Sequence, residues 1–194
     1  MAIAKKKKRF YDVEIPIIGR TAQIFAIEIE ELNGKHVKYD LTRQLKGKGT
    51  ILQAKIKATD KEATAYPTRL TVLPSFLKRM VRKGTNYVEE SFETETKDAL
   101  VRIKPFLVTR KKVSRRVRQA LRSKCREEIV SQLKNRETEE IFTGILRGSL
   151  QKHLSIVLKK IYPLALVEIK EMYIVKEKSA QTLKKEAVET TESQ

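Results

Sequence analysis

The apolar residues of this 194-residue chain change period once, at about Thr109, and that change governs what the chain can fold into. Upstream of it, apolar and polar residues alternate, the mark of half-buried strands. Phe25, Ile27 and Ile29 alternate with Ala26, Glu28 and Glu30, and Leu52, Ala54 and Ile56 face away from Ile51, Gln53 and Lys55. Strands are expected through Ile15 and Ile17, through Phe25 to Ile29, and over 36–41, 50–57, 68–73, 86–96 and 99–108. Asn33-Gly34 offers the positive-φ pair of a tight hairpin between the second and third. Pro74-Ser75 opens a short helix carrying Phe76, Leu77, Met80 and Val81, with Gly84 as its C′ residue. Lys97-Asp98 forms the turn between the last two strands, and Pro105 marks an edge or a bulge.

Downstream the spacing becomes helical. Val117, Leu121, Cys125 and Ile129 recur every four residues and predict a helix over 115–136. A second helix is expected from Thr138, whose hydroxyl can cap it, to just before Pro163. Glu139 and Glu140 sit well on its N-terminal dipole, and Gly144 and Gly148 allow close approach of another element or mark a break. A final strand is expected from Leu164 to Val175. Residues 1–9 read as a disordered basic arm and residues 179–194 as a disordered polar tail. The fold class is therefore α+β, with no internal repeat.

A 40% share of hydrophobic residues is enough for a real core, which excludes wholesale disorder. The single Cys125 excludes an intramolecular disulfide and a cysteine-rich zinc site. No apolar run approaches the roughly 20 residues of a membrane span. The basic start is followed by FYDVEIPIIGR, not by an apolar stretch with a cleavage site, so a soluble, intracellular protein without a membrane partner is expected.

Charge narrows the function. The chain carries 42 Lys and Arg against 24 Asp and Glu, a net +18. The positive charge is blocked: Lys5, Lys6, Lys7, Lys8 and Arg9 at the start, then Arg110, Lys111, Lys112, Arg115, Arg116, Arg118, Arg122, Lys124 and Arg126. No acid lies between Asp98 and Glu127, whereas a solvated basic helix face normally interleaves Glu. Arg115, Arg118, Arg122 and Arg126 fall within an arc of about 80° on a helix. Four guanidiniums on one side can grip phosphates bidentately, Arg126 least securely because the buried series drifts toward it. Segregated blocks of this kind predict a polyanionic partner, nucleic acid. Residues 85–98 run the other way, and Glu89, Glu93 and Glu95 form an acidic row expected to face water or another protein.

Catalytic chemistry is scarce. His36 and His153 have no Cys, Asp or Glu at metal-ligand spacing, and both read as structural or surface residues. Cys125 falls in an apolar series, where a thiol behaves as a small hydrophobe. Gly47-Lys48-Gly49-Thr50 fails as a phosphate loop, because glycine follows the lysine and Thr42 replaces the first glycine. No zinc finger, basic zipper, helix-turn-helix, RNA-recognition aromatic signature or GxxG clamp is present. The twelve Phe and Tyr are scattered and suggest no stacking platform. What remains is backbone-dominated binding to a shaped RNA from several basic elements.

Four stretches resemble one family in order: KKKKRFYDVEIP, YDLTRQLKGKGTILQAKI, FLKRMVRKGTNYVEESFETETKDALVRIKPFLVTRKK and KKIYPLALVEIKEMYIVKEK. Together they are similar to the eS-one family (formerly S-three-A-e) of small-subunit ribosomal proteins, shared by archaea and eukaryotes. The aromatic before Tyr11, often Trp in that family, is Phe10 here, and the chain lacks the C-terminal extension of eukaryotic members, so it resembles the archaeal type. The resemblance implies an antiparallel β-barrel over residues 10–109, followed over 110–178 by a small α/β lobe with two helices and a final strand. It implies a structural, non-enzymatic role on the platform of the small subunit, near the messenger exit and the ribosomal RNA 3′ end. The implied partners are small-subunit ribosomal RNA, neighbouring platform proteins and messenger RNA at the exit, in the cytoplasm, with no cofactor and no metal. By position its RNA contacts fall on the arm, on Lys46 and Lys48, on Arg79, Arg82 and Lys83, and on the block from Arg110 to Arg122. The rival reading is a free RNA-binding translation factor or RNA chaperone with a barrel domain.

Overall fold

The computed structural model describes residues 7–59 and 62–178, so Lys5, Lys6 and the expected tail lie outside the described residues. The chain divides into two compact units, Met1–Leu70 and Thr71–Gln194.

The first unit holds β1 (Arg9–Ile15), β2 (Arg20–Ala26), β3 (His36–Asp40), β4 (Thr50–Ala58) and β5 (Ala63–Val72), which runs on across the division. Their order is β2-β1-β5-β4-β3. Alternation places Val13, Ile15, Leu52, Ala54, Ile56, Ala65 and Leu70 in the core, and Leu32 and Leu41 close its ends. Each such side chain, fully buried, contributes about 1.5–3 kcal/mol if large. A closed antiparallel barrel is not confirmed. Among the described residues the sheet is open and mixed: β1 and β5 are parallel, with Val13 opposite Ala63, and β2 and β3 do not pair.

The reason lies partly at Asn33-Gly34. Asn33 has φ −60° and ψ 128°, Gly34 has φ +77°, and the Lys35 N–H donates to the Leu32 carbonyl at 3.0 Å. That is a type II turn, whose twist does not suit a two-residue hairpin, where type I′ or II′ geometry needs positive φ at the first central residue and Asn33 is at −60°. A short 3₁₀ turn over Glu30–Leu32 precedes it, and the chain crosses to pair β3 with β4 instead of β2.

The second unit contains α1 (Pro74–Met80), β6 (Tyr87–Glu89), β7 (Phe92–Glu95), β8 (Ala99–Thr109), α2 (Arg115–Leu133), α3 (Thr138–Arg147), α4 (Ser149–Leu158) and β9 (Leu164–Glu177). β8 pairs antiparallel with β9 on one edge and with β6 and β7 on the other. A register shift at Lys104/Pro105 shows Pro105 to be a bulge. Pro74 occupies the first turn of α1, as expected, but the helix ends at Val81 in extended conformation, so Gly84 belongs to the following turn.

The helices differ from expectation in number. Gly148, at φ +75°, caps α3 by donating to the Gly144 and Ile145 carbonyls, and α4 starts at the next residue. One expected helix is thus two, three in all after Thr109. Thr138 opens α3 from inside and does not cap it: its N–H donates to Asp98 Oδ2 at 3.4 Å, and its hydroxyl meets Thr96 Oγ1 at 3.3 Å. Leu121, Cys125, Ile129 and Leu133 of α2 are buried, as are Phe142, Ile145, Leu154 and Leu158 of the next two helices. The architecture is α+β with a mixed sheet and four helices.

Candidate nucleic-acid interface

The best-built basic feature is an arch made of two segments far apart in sequence. At the end of β8, Thr109 is buried, and its N–H donates to the Asn86 carbonyl at 2.9 Å. The Thr109 hydroxyl donates to the carbonyls of Asn86 at 3.0 Å or Lys111 at 2.7 Å, and it accepts from the Asn86 N–H at 3.0 Å. Asn86 Oδ1 accepts from the Val113 N–H at 2.9 Å. Residues 110–112 are therefore pinned at both ends, and Arg110, Lys111 and Lys112 stand exposed between the pins. Just before Asn86, Thr85 folds back on the Arg82 carbonyl with its N–H at 3.2 Å and its hydroxyl at 2.7 Å. That turn brings Arg82 and Lys83, both exposed or half-exposed at the surface, to the arch. None of these five cations has an ion-pair partner among the described residues. Pre-fixed backbone spares them ordering cost when they bind.

The helix that follows is less uniform than its spacing suggests. Ser114 caps it, its Oγ accepting from the Val117 N–H at 3.4 Å. Arg115 and Arg116 are exposed at its start. Arg118 lies at the azimuth of the buried stripe, half-buried, and its Nε is buried with no acceptor among the described residues. Arg122 is half-buried and donates to Gln119 Oε1 at 2.9 Å. Arg126 reaches Glu90 at 3.8 Å and lies 5.4 Å from the Phe92 ring centroid. Lys124 pairs with Glu127 and Glu128 at 3.2 and 3.3 Å, which raises its pKa. The four arginines of the expected arc share a side of the helix, and among the described residues Arg115 is the one of them that is exposed without a hydrogen-bond, ion-pair or ring partner.

In the first unit, the loop after β3 is an ordered basic turn. Asp40 Oδ1 accepts from the N–H and the hydroxyl of Thr42, which lowers the Asp40 pKa, the hydroxyl bond contributing most. Leu45 and Gly47 donate to the Leu41 and Thr42 carbonyls at 2.9 Å, and Lys46 and Gly47 take φ +52° and +85°. Lys46 is exposed beside Arg43, a cation that sequence reasoning passes over, and Lys48 completes the turn. Arg79 is exposed on α1 against the Phe76 ring at 5.8 Å. Of the arm, Lys7 and Lys8 are exposed, and Arg9 already belongs to β1.

The acidic row proves internally neutralised. Glu89 pairs with Lys170 at 3.1 Å, Glu93 with Arg102, Glu95 with Lys178 at 3.6 Å, and Glu171 with Lys104 at 2.7 Å. Register makes two of these pairs, since Glu93 lies opposite Arg102 and Lys104 opposite Glu171, and it sets Tyr173 on the other side of Arg102. The Arg102 pKa is held up by Glu93 and then by the Tyr173 hydroxyl, to which it donates at 2.9 Å.

Little here resembles an active site. Cys125 is buried, and burial, with Glu90 nearby, pushes its thiol up to about 12. His36 is exposed, and His153 is exposed on α4 with its Nδ1 against Gln132 of α2. No group of three or more His, Cys, Asp and Glu is placed to hold a metal ion among the described residues. No helix among them is long and apolar enough to cross a membrane.

Two features escape sequence reasoning besides Arg43. Asn86 gives no periodic signal, since its role exists only when β8 is in place. The second is a pair of exposed rings, Phe10 and Phe25, on adjacent strands. The phase of β2 is opposite to the one expected, with Ala22, Ile24 and Ala26 facing inward and Phe25 outward. The polar Thr21 and Gln23, alternating with Ala22 and Ile24, carry that phase.

The family model described as Ribosomal S3Ae matches residues 4–178 of the chain. The chain is 27% identical to a protein of Nanoarchaeum equitans named small ribosomal subunit protein eS1, over 87% of this chain and 89% of that one. Proteins of the same name from Pyrobaculum arsenaticum and Haloarcula marismortui are each 28% identical, over 88% and 86% of this chain and 80% and 82% of theirs.

Proposed function

The chain belongs to the ribosomal S3Ae family, and from that premise we propose that it is a structural constituent of the small ribosomal subunit which binds small-subunit ribosomal RNA through its phosphate backbone. The observation that carries the RNA-binding part is the arch: five cations from two segments, fixed by Asn86 and Thr109 and left without acidic partners among the described residues. Around it the proposed contacts are Arg79, Arg115 and Arg116, with Arg118, Arg122 and Arg126 as flanking charges already held by the protein. In the first unit they are Lys46 and Lys48 on the ordered turn and Lys5 to Arg9 at the start. A duplex carries one negative charge per about 1.7 Å along its axis, so closely set cations gain by releasing condensed counterions. Such contacts position a protein on a shaped RNA without reading its sequence.

The family resemblance supports a seat on the platform, near the messenger exit and the ribosomal RNA 3′ end. Neighbouring platform proteins and messenger RNA are then further partners, and the protein works in the cytoplasm, within the ribosome, without catalysis or a cofactor. The rival, a free translation factor or RNA chaperone, needs exposed aromatics on adjacent strands, and Phe10 and Phe25 supply a pair. Likeness to subunit proteins over most of both chains favours stable incorporation.

Sucrose-gradient sedimentation of cell extract separates the two. Steady co-migration with free small subunits, at low and then high salt, is expected. A position at the top of the gradient at low salt would overturn the ribosomal reading.

A further inference from the structure

The exposed Phe10–Phe25 pair has no role in the phosphate contacts just described. The residues face each other across β1 and β2, with ring centroids 4.9 Å apart, and are 69% and 54% exposed. Single exposed apolar residues are ordinary, but two large rings in contact on one sheet face form a patch. Register gives that face its composition. On its basic end Lys8 lies with its ammonium 5.8 Å from the Phe25 centroid, and Lys7 and Arg9 adjoin it. On its other end the outward positions are Asp12 opposite Gln23 and Glu14 opposite Thr21.

We infer that Phe10 and Phe25 form a stacking site for one or two unpaired bases of a single-stranded RNA, whose phosphates lie toward Lys8 and the basic start of the chain. Every base has a π-face, so aromatic stacking takes single strands without regard to sequence, and adjacent cations hold the backbone. The charge gradient along β1 decides the occupant: rings bordered by Lys8 suit a polyanion, and Asp12 and Glu14 on the same face turn its phosphates away from the other end. A duplex, whose bases are already stacked, is excluded. The inference rests on the ribosomal reading only in expecting RNA as the partner.

A stacking contact releases no counterions, so its loss lowers affinity without altering the salt slope, unlike the loss of an arch cation. The test uses the full chain, a fluorescein-labelled oligouridylate and a paired RNA of equal charge. F10L with F25L is expected to weaken oligouridylate binding about fivefold or more per base lost, with the slope unchanged and duplex binding kept. Tyr66→Leu, on β5 beyond the acidic end, serves as a control expected to bind normally.

Because the chain contains no Trp, F10W adds a single emitter at the site. Its emission should be quenched by oligouridylate and left unchanged by heparin, a polyanion without bases. Unquenched F10W at saturating oligouridylate would overturn the inference. So would unchanged affinity in a correctly folded F10L/F25L variant, which would make the pair a cross-strand tie or a protein contact. Either result leaves the ribosomal reading intact, whereas absence of any RNA binding would sink both.

Discussion

The row of charges on β7, β8 and β9 and the arch at Asn86 carry comparable numbers of cations within one unit, yet they offer different things to a partner. In the row, Lys104 and Arg102 each meet a carboxylate delivered by strand register, and Lys170, the extra residue at the β8–β9 bulge, meets Glu89. In the arch, Arg82, Lys83, Arg110, Lys111 and Lys112 have no acid paired with them among the described residues, and neutral hydrogen bonds fix the backbone that carries them. Charge in a sequence counts what exists, and pairing decides what is left to bind. The pairs of Lys170 and Arg102 are exposed and add little to stability, while Lys104 meets the buried Glu171, so for a partner the row's main consequence is to silence its own cations.

The largest effect is expected from removing the arch. Replacing Arg110, Lys111 and Lys112 by Gln should flatten the dependence of log affinity on log salt by about two to three units, at roughly 0.7–0.9 per contact. Circular dichroism should be unchanged, since these side chains bury nothing. A slope equal to the parent's would mean that the arch faces solvent.

Asn86→Ala loosens the arch without touching a charge. It leaves the Val113 N–H without its acceptor and frees the segment, and RNA affinity should fall about tenfold, equivalent to ordering one residue's backbone at ~1–2 kcal/mol. The salt slope should stay that of the parent protein. If Asn86→Ala binds as tightly as the parent, pre-fixing contributes nothing.

Smaller effects are expected from opening the row. Glu89→Gln with Glu93→Gln releases Lys170 and Arg102 from their acids, and the slope should steepen by about one unit or less per cation released. Urea denaturation should show a loss of less than about 1 kcal/mol per pair. No steepening would mean that position, not pairing, silences these cations.

Much of this contrast is legible in the amino-acid sequence, and the places where it is not are instructive. The acid-free run 99–126 marks the arch cations of β8's end, and the strands over 50–57 and 99–108 and the helix from 115 emerge from periodicity alone. What periodicity misses is long-range or one residue out of phase. Pairing of β1 with β5 and of β8 with β9 joins segments about 50 and 70 residues apart, which local periods do not encode. A one-residue error in β2 turns Phe25 inward in the sequence reading, because period 2 moves every side chain at once. The acidic row looks available for a partner protein because Lys170 and Arg102 reach it only through register. On α2 the arc overlaps the buried stripe, which leaves Arg118 and Arg122 half-buried, while Arg126 turns to Glu90 and Phe92.

The smallest effect concerns the ordered turn of the first unit. Asp40 is held below its ordinary pKa of 3.8 by the Thr42 hydroxyl and N–H, so the turn's stabilisation is present above that value and lost as pH falls through the lower folded one. NMR titration of the Asp40 carboxyl should show the depressed midpoint, and Thr42→Val should move it upward. RNA affinity near neutral pH should change less than twofold.

The central claim, that unpaired cations and not cations in general meet RNA, is tested most directly by lysine acetylation footprinting of the unmodified protein. The protein is modified with and without small-subunit ribosomal RNA, and each lysine's reactivity is compared. The account predicts that Lys83, Lys111 and Lys112 lose most of their reactivity when RNA is bound, while Lys104 and Lys170 keep theirs. Protection of Lys104 and Lys170 with the arch lysines still reactive would contradict it.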